Sequence, residues 1–393
     1  MTKTFRPNLS RRVESLPPYL FAEIERKVAA KQAAGVDIIS LGIGDPDSPT
    51  PGHVLAAMNE GVRDSANHQY PTNRGTPEFR AAVAYYYHHR FGVTLDQETE
   101  IVPLLGAKEG IAHICFALLN EGDVCLAADP GYPVYTTGPL IAGGTAVHLP
   151  LRPELGFQPD LDAIDPAVLA KARMIFVGYP NNPTGAVIED DFFARLVAFA
   201  REHDIVVVHD NAYADITFDG YVAPSFLETP GARGVGVELF SLSKSYNMTG
   251  WRAGAVVGNA TVVDAYWRLK TNMDSGMFGA LQHAAAAALT GPQDSVRELC
   301  ALYTHRRDLL VAALRRAGMH VEPPKGTIYL WAPVPEGHTS GSFAELVLNQ
   351  ADVIVSPGAA YGPSGEGYVR FSLTVPDERL REAVERIAQR VKL

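Results

Sequence analysis

VELFSLSKSYNMTGWRAGAVVG, residues 237–258, decides the fold. It opens as an apolar run suited to a buried strand, breaks at SLSK into a polar loop, and turns apolar again at GAVVG. Working upstream, the same signature recurs. IVPLL from 101 leads into GAKEG, DVCLAA from 123 into DPGYP, MIFVGY from 174 into the turn NNPTG, and IVVVHD from 205 into NAY. Helical patterns fill the intervals between residues 75 and 275, and buried strands alternating with helices imply a parallel α/β sheet. Ligands of such open sheets bind where the strands end, so the polar turns are the place to look for chemistry.

Beyond residue 285 the character changes to long amphipathic stretches with the pieces GTIYLWAPV and GYVRFSL, which read as a smaller α+β region. The expected division is an N-terminal arm that joins the small domain (1–45), a large domain (46–285) and a small C-terminal domain (286–393). With 393 residues, 47% of them apolar, the chain can bury the cores of two domains. The net charge of −10 opposes the basic field that nucleic acid or an anionic membrane requires, so neither is expected as a partner. Three cysteines without paired spacing suggest neither disulfides nor a zinc site. No leader-like apolar stretch opens the chain, and no apolar run approaches the roughly 20 residues that span a bilayer. A cytoplasmic protein is expected.

Lys244, in SLSK just after an apolar strand, pays a desolvation cost that favours the neutral, nucleophilic amine, as imine formation requires; alone, a lysine in such a place is more often a solvated turn residue. Asp210 ends IVVVHD, where an acid at the tip of an apolar strand needs a partner such as a pyridinium N–H, or else caps a helix. Tyr213 and Asn182 either donate to one cofactor oxygen or serve as packing and as a turn, the latter beside Pro183. Gly106, Ala107 and Lys108 follow a strand and open a helix, where free amides favour an anion. Ser241, Ser243 and Arg252 bracket Lys244 and could complete a phosphate cup, although an arginine there is also at home on the surface. Tyr132 in DPGYP either stacks on a cofactor ring or covers the core. Arg370 in GYVRFSL alternates with apolar residues and presents a guanidinium matched to a carboxylate, or an exposed cross-strand charge. LGIGDPD at 41–47 does not make a dinucleotide site, because Asp47 replaces the third glycine and GDPDSPTP cannot start a helix. HExxH, paired-cysteine and GxSxG patterns are missing, so neither a metalloenzyme nor a serine hydrolase is supported.

Taken in order, Asn182 in NPTG, Asp210, Tyr213, Lys244 in SxSK, Arg252 in GWRAG and Arg370 resemble the class I/II aminotransferases of the aspartate aminotransferase-like fold. The stretches PPYLFAEI, HQYPTNRGTPEFR, DPGYPVY and GEGYVRFSLT look most like the LL-diaminopimelate aminotransferases among them. The resemblance implies pyridoxal 5′-phosphate held as a Schiff base on Lys244, with Asp210 and Tyr213 supporting catalysis. It implies a homodimer with shared active sites, in which Tyr70 reaches the partner's phosphate group and Ser275 offers the partner a polar contact. Gly44 would donate its amide to the substrate carboxylate beside Arg370, with Tyr132 and Asn182 also at the substrate. The implied reaction is a ping-pong transamination between LL-diaminopimelate and 2-oxoglutarate. Its rivals are transamination of another amino acid and C–S lysis on the same fold. A PLP-responsive transcription regulator would need a DNA-binding segment, and no basic helix-turn-helix pattern precedes the arm.

Overall fold

In the computed structural model, which describes residues 7–16 and 22–391, the apolar runs become strands in the expected order. These are β1 (Ile39–Ser40), β2 (Ile101–Leu104), β3 (Val124–Asp129), β4 (Thr145–Pro150), β5 (Ala172–Val177), β6 (Val206–Asn211), β7 (Gly236–Ser241), β8 (Gly254–Gly258), β9 (Tyr329–Pro333), β10 (Val353–Ile354), β11 (Ser356–Pro357) and β12 (Tyr368–Ser372). Among the described residues, β2 to β8 form a seven-stranded sheet in the order β2-β8-β7-β6-β5-β3-β4. β8 alone runs against its neighbours β2 and β7. No helix crosses the sheet between β7 and β8, so the chain can only turn back beside the strand it has just left. β4 is a strand that the sequence reading passed over. It lies at the sheet edge, partly exposed, and carries no continuous apolar run.

Alternation along the strands loads both faces of the sheet. Val207 of β6 faces a core with Tyr87, Phe192 and Phe226, whereas Val208 faces a second layer with Ile111, Leu239 and Tyr266. Fully buried aromatics such as Phe192 and Phe226 each contribute about 1.5–3 kcal/mol through area removed from water. The helix Pro77–Phe91 shows how local sequence sets element ends. Thr76 caps it by accepting from the Phe79 amide, Pro77 occupies the first turn, and Gly92 closes it at φ 69°.

A second core gathers Leu330, Phe343, Val347, Phe371 and Leu380 around the antiparallel sheet β11-β12-β9. β1 pairs with β10 there, so the stretch leading to Gly44 is pinned to the C-terminal part of the chain. Pro17 to Phe21, within the PPYLFAEI stretch, lie outside the described residues. Among the described residues, no helix is long and apolar enough to cross a membrane.

Candidate active site

The carboxyl ends of β2, β3, β5, β6 and β7 open onto one cavity of about 630 Å³, closed from the other side by the 40–45 segment, Tyr329 and Arg370. Lys244 stands three residues past β7, and its Nζ donates to the Gly44 carbonyl at 2.6 Å. Burial pushes its ammonium below the ordinary lysine range. Arg370 and Arg252 push the same way, against Tyr329 and Asp45. The result is an amine more readily neutral than a surface lysine.

Asp210 lies inside β6, which continues to Asn211, so it is a strand residue and not a helix cap. Its Oδ2 accepts from the Tyr135 hydroxyl at 2.8 Å, while its buried Oδ1 has no partner among the described residues. Burial raises this carboxyl above its ordinary value despite the Tyr135 hydrogen bond. A protonated ring nitrogen would pair the free oxygen and reverse that shift.

Gly106, Ala107 and Lys108 begin the helix Ala107–Leu118, which has no side-chain cap among the described residues, leaving its leading amides for an anion. Gly106 is required twice over. Its φ is +82°, and a Cβ would lie 2.2 Å from Nη2 of Arg252, whose guanidinium is held by the Thr249 carbonyl. Ser241 and Ser243, both buried, line the same cavity. Hydroxyls, a guanidinium and helix-start amides together make the donor set that a phosphate monoester needs.

Arg370 points inward and is not an exposed cross-strand charge. Its Nη1 donates to Asn182 Oδ1 and its Nη2 to the Gly42 carbonyl, both at 2.8 Å, and Nε has no partner among the described residues. The guanidinium lies 3.8 Å from the Tyr329 ring centre and 4.6 Å from that of Tyr361. Tyr213 is buried and donates to the Tyr329 hydroxyl at 3.2 Å. Tyr132 sits edge-on to Tyr135, its phenol pushed up to about 12 by burial.

Three expected residues do not line this cavity: Gly106, which adjoins it next to Ala107 and Arg252, and Tyr70 and Ser275. Tyr70 is 86% exposed, and Ser275 is also on the surface; neither lines the cavity of its own chain. Several lining residues escaped the sequence reading, among them Tyr329 and Tyr361, with Glu25, Val28 and Gln32 from the helix Ala22–Ala33; Tyr135, which does not line the cavity but donates to Asp210, escaped it too. Tyr329 left one usable trace, a tyrosine in the strand piece GTIYLW; its pairing with Gly44 is long-range. A Cβ on Gly44 would sit 2.0 Å from the Tyr329 hydroxyl, so the glycine is what lets that phenol in.

The comparisons agree with this geometry. The family model described as aminotransferase class I and II matches residues 36–387. Two curated relatives named LL-diaminopimelate aminotransferase, from Desulforudis audaxviator and Moorella thermoacetica, are 55% and 53% identical. Each alignment covers 96% of this chain, and 96% and 97% of the respective relatives. Among solved structures, substrate-bound BacF from Bacillus subtilis superposes with a TM-score of 0.94 at 40% identity, covering 98% of both chains. A Thermus thermophilus aspartate aminotransferase variant gives 0.91 at 29% identity, covering 98% of this chain and all of the other. By its fold, by the residues gathered at its sheet ends and by these likenesses, the chain belongs to the class I and II aminotransferases.

Proposed function

We propose that the protein is an LL-diaminopimelate:2-oxoglutarate aminotransferase that uses pyridoxal 5′-phosphate. The observation that carries the substrate is the identity above 50%, over nearly full length on both sides, to relatives bearing that name. Neighbours with other titles, such as an aromatic aminotransferase from Pyrococcus horikoshii at 32%, are more distant.

When bound, pyridoxal phosphate supplies an aldehyde that condenses with amines and a ring that draws electron density from the substrate Cα. Lys244 holds the cofactor through its Nζ between turnovers and, once freed, carries the proton at the substrate Cα. Burial, which lowers its pKa, favours the neutral amine that this task needs. Asp210 offers its unpaired Oδ1 to the ring nitrogen, and Tyr213 and Asn182 address the phenolic oxygen. Ser241, Ser243, Arg252 and the amides at Gly106, Ala107 and Lys108 hold the phosphate, while Tyr132 covers the ring. Arg370 takes the substrate carboxylate with the Gly44 amide, orienting the Cα–H bond for removal.

The assembly is part of the same proposal. The chain forms a homodimer in which Tyr70 of each subunit reaches the other's phosphate site, which agrees with its exposure and its place outside its own cavity. The arm (1–45), large domain (46–285) and small domain (286–393) are proposed as its working parts, supported by the separate hydrophobic cores. A cytoplasmic location suits three free cysteines, two of them buried.

A single-turnover half-reaction tests the substrate. The pyridoxal phosphate form is mixed separately with LL-diaminopimelate, glutamate, aspartate, alanine and an aromatic amino acid, following loss of the absorbance of the lysine-linked cofactor. Rapid conversion by LL-diaminopimelate and glutamate alone is expected. Conversion by another amino acid with LL-diaminopimelate inert would remove the substrate and keep the reaction, whereas ammonia release without an oxo acid would mean a lyase.

A further inference from the structure

Behind the cavity, on the opposite face of β6 from Asp210, lies a buried pair that the chemistry above does not use. His209 and Glu238 are register neighbours on β6 and β7, and both are fully buried. Glu238 receives five hydrogen bonds. His209 Nδ1 and the Phe226 amide meet Oε1, each at 2.7 Å; Tyr87, Asn211 and Ser225 meet Oε2 at 2.9, 3.2 and 2.8 Å. Burial alone would raise this carboxyl, but five donors converging on its two oxygens favour the ionised form. It is an anion with its acceptor capacity filled.

The other ring nitrogen fixes the protonation of His209. The Tyr179 backbone N–H points at Nε2 from 3.2 Å. An amide can only donate, so Nε2 carries a lone pair and the single ring proton sits on Nδ1, facing Glu238. Tyr179 leads into the turn that delivers Asn182. Apart from the Tyr179 hydroxyl, which donates to the Phe157 carbonyl at 2.6 Å, the hydrogen bonds just before Asn182 are local, from Asn181 Nδ2 to the Gly178 carbonyl, Thr184 to Asn181 Oδ1, and the Asn181 amide to the Ala186 carbonyl. Asn182 in turn accepts from Arg370 at 2.8 Å.

We propose that His209, locked by Glu238 as the neutral Nδ1–H tautomer, is a positioning residue for the Asn182 turn and, through Asn182, for the carboxylate-binding Arg370. No charge needs to move for this role. The buried carboxylate selects the tautomer, the tautomer presents an acceptor to Tyr179, and the anchored turn holds Asn182 against the guanidinium. The proposal rests on the aminotransferase reading of Asn182 and Arg370. It does not depend on which amino acid is the donor.

The test separates the two ring nitrogens. The carboxamide of His209→Asn reaches the place of Nδ1 and keeps a donor for Glu238, but leaves the Tyr179 amide without an acceptor. His209→Gln reaches the place of Nε2 and restores one. His209→Asn is expected to raise KM for both amino donor and oxo acid about tenfold, the cost of one buried amide left unpaired, with a smaller change in kcat. The same substitution in an Asn182→Ala background should change KM less than about twofold, because the path to Arg370 is already cut. His209→Gln should stay within about threefold of the unsubstituted protein. The affinity of cofactor-free protein for pyridoxal phosphate, read by fluorescence quenching, should fall in His209→Asn and hold in His209→Gln. Independently of turnover, 15N spectra of the cofactor-free protein with labelled histidine should show His209 protonated at Nδ1 alone. An imidazolium or Nε2–H signal would overturn the proposal, as would an equal KM effect in both backgrounds. Where His209→Asn gives no folded protein, His209→Gln decides, since a tenfold rise in its KM contradicts the anchor.

Discussion

At the scale of single residues, the site depends on close approaches that one added methyl or one changed head group removes. Gly106 cannot hold a side chain, because its φ of +82° is a left-handed conformation and a Cβ would strike the Arg252 guanidinium. Gly106→Ala is expected to weaken cofactor retention about tenfold or more, measured by dialysis against buffer without pyridoxal phosphate. Unchanged retention would mean that Arg252 and the helix start do not hold the phosphate. Arg370 spends its guanidinium on two acceptors and two aromatic faces at once. A lysine ammonium matches neither that fork nor that stacking, so Arg370→Lys should raise KM for amino and oxo acids alike by about 10- to 100-fold, with less effect on kcat. Steady-state kinetics with both substrates checks this, and a KM unchanged for either would place carboxylate recognition elsewhere.

Between elements, the large sheet meets the C-terminal part of the chain at Asp129, the last residue of β3, beside the edge strand β4. Asp129 accepts from the amide and hydroxyl of Ser364. Gly131, two residues on, donates to the carbonyl of Tyr361, which packs on Arg370. His148 of β4 lies 3.5 Å from the same carboxylate, and Asp129 raises its pKa against the opposing effect of burial. A histidine whose pKa is raised by folding adds stability that is complete below its unfolded value, near pH 6.5, and is lost as pH rises through the folded value. The melting temperature of the unsubstituted protein should therefore gain on that of His148→Gln as pH falls from about 8 to about 6. A constant gap would show that the pair adds nothing. This contact also marks where sequence reading stops. Lys244, Asp210 and Arg370 stood out as charged residues ending or interrupting apolar runs, yet each alone had an ordinary reading, and only their order along the chain with Asn182, Tyr213 and Arg252 pointed to one chemistry. β4, with TAVHLP half exposed at an edge, carries no such anomaly. The pairing of His209 with Glu238, and of Tyr329 with Gly44, joins residues far apart in the chain, so neither stretch alone announces it.

For the whole molecule, the proposed homodimer is what the exposure of Tyr70 puts to the test. Tyr70 is 86% exposed, large and partly apolar, and it belongs to a stretch that resembles the family's phosphate-reaching segment. A side chain in that state is poorly used by its own chain, and a two-fold dimer would place it at its twin's cavity. The prediction is complementation. Lys244→Ala should be inactive as a homodimer, and Tyr70→Ala should be impaired in turnover and in cofactor affinity. When the two variants are unfolded together and refolded at equal concentration, half of the dimers are mixed. Each mixed dimer has one cavity with Lys244 from one chain and Tyr70 from the other, beside one cavity that lacks both. About a quarter of all cavities are then intact, and turnover should rise toward about a quarter of that of the unsubstituted protein. If Tyr70 served its own chain's cavity, every cavity would lack either Lys244 or Tyr70, and mixing would give no more than the average of the two parents. Turnover of the refolded mixture, set against that average, decides between the two arrangements.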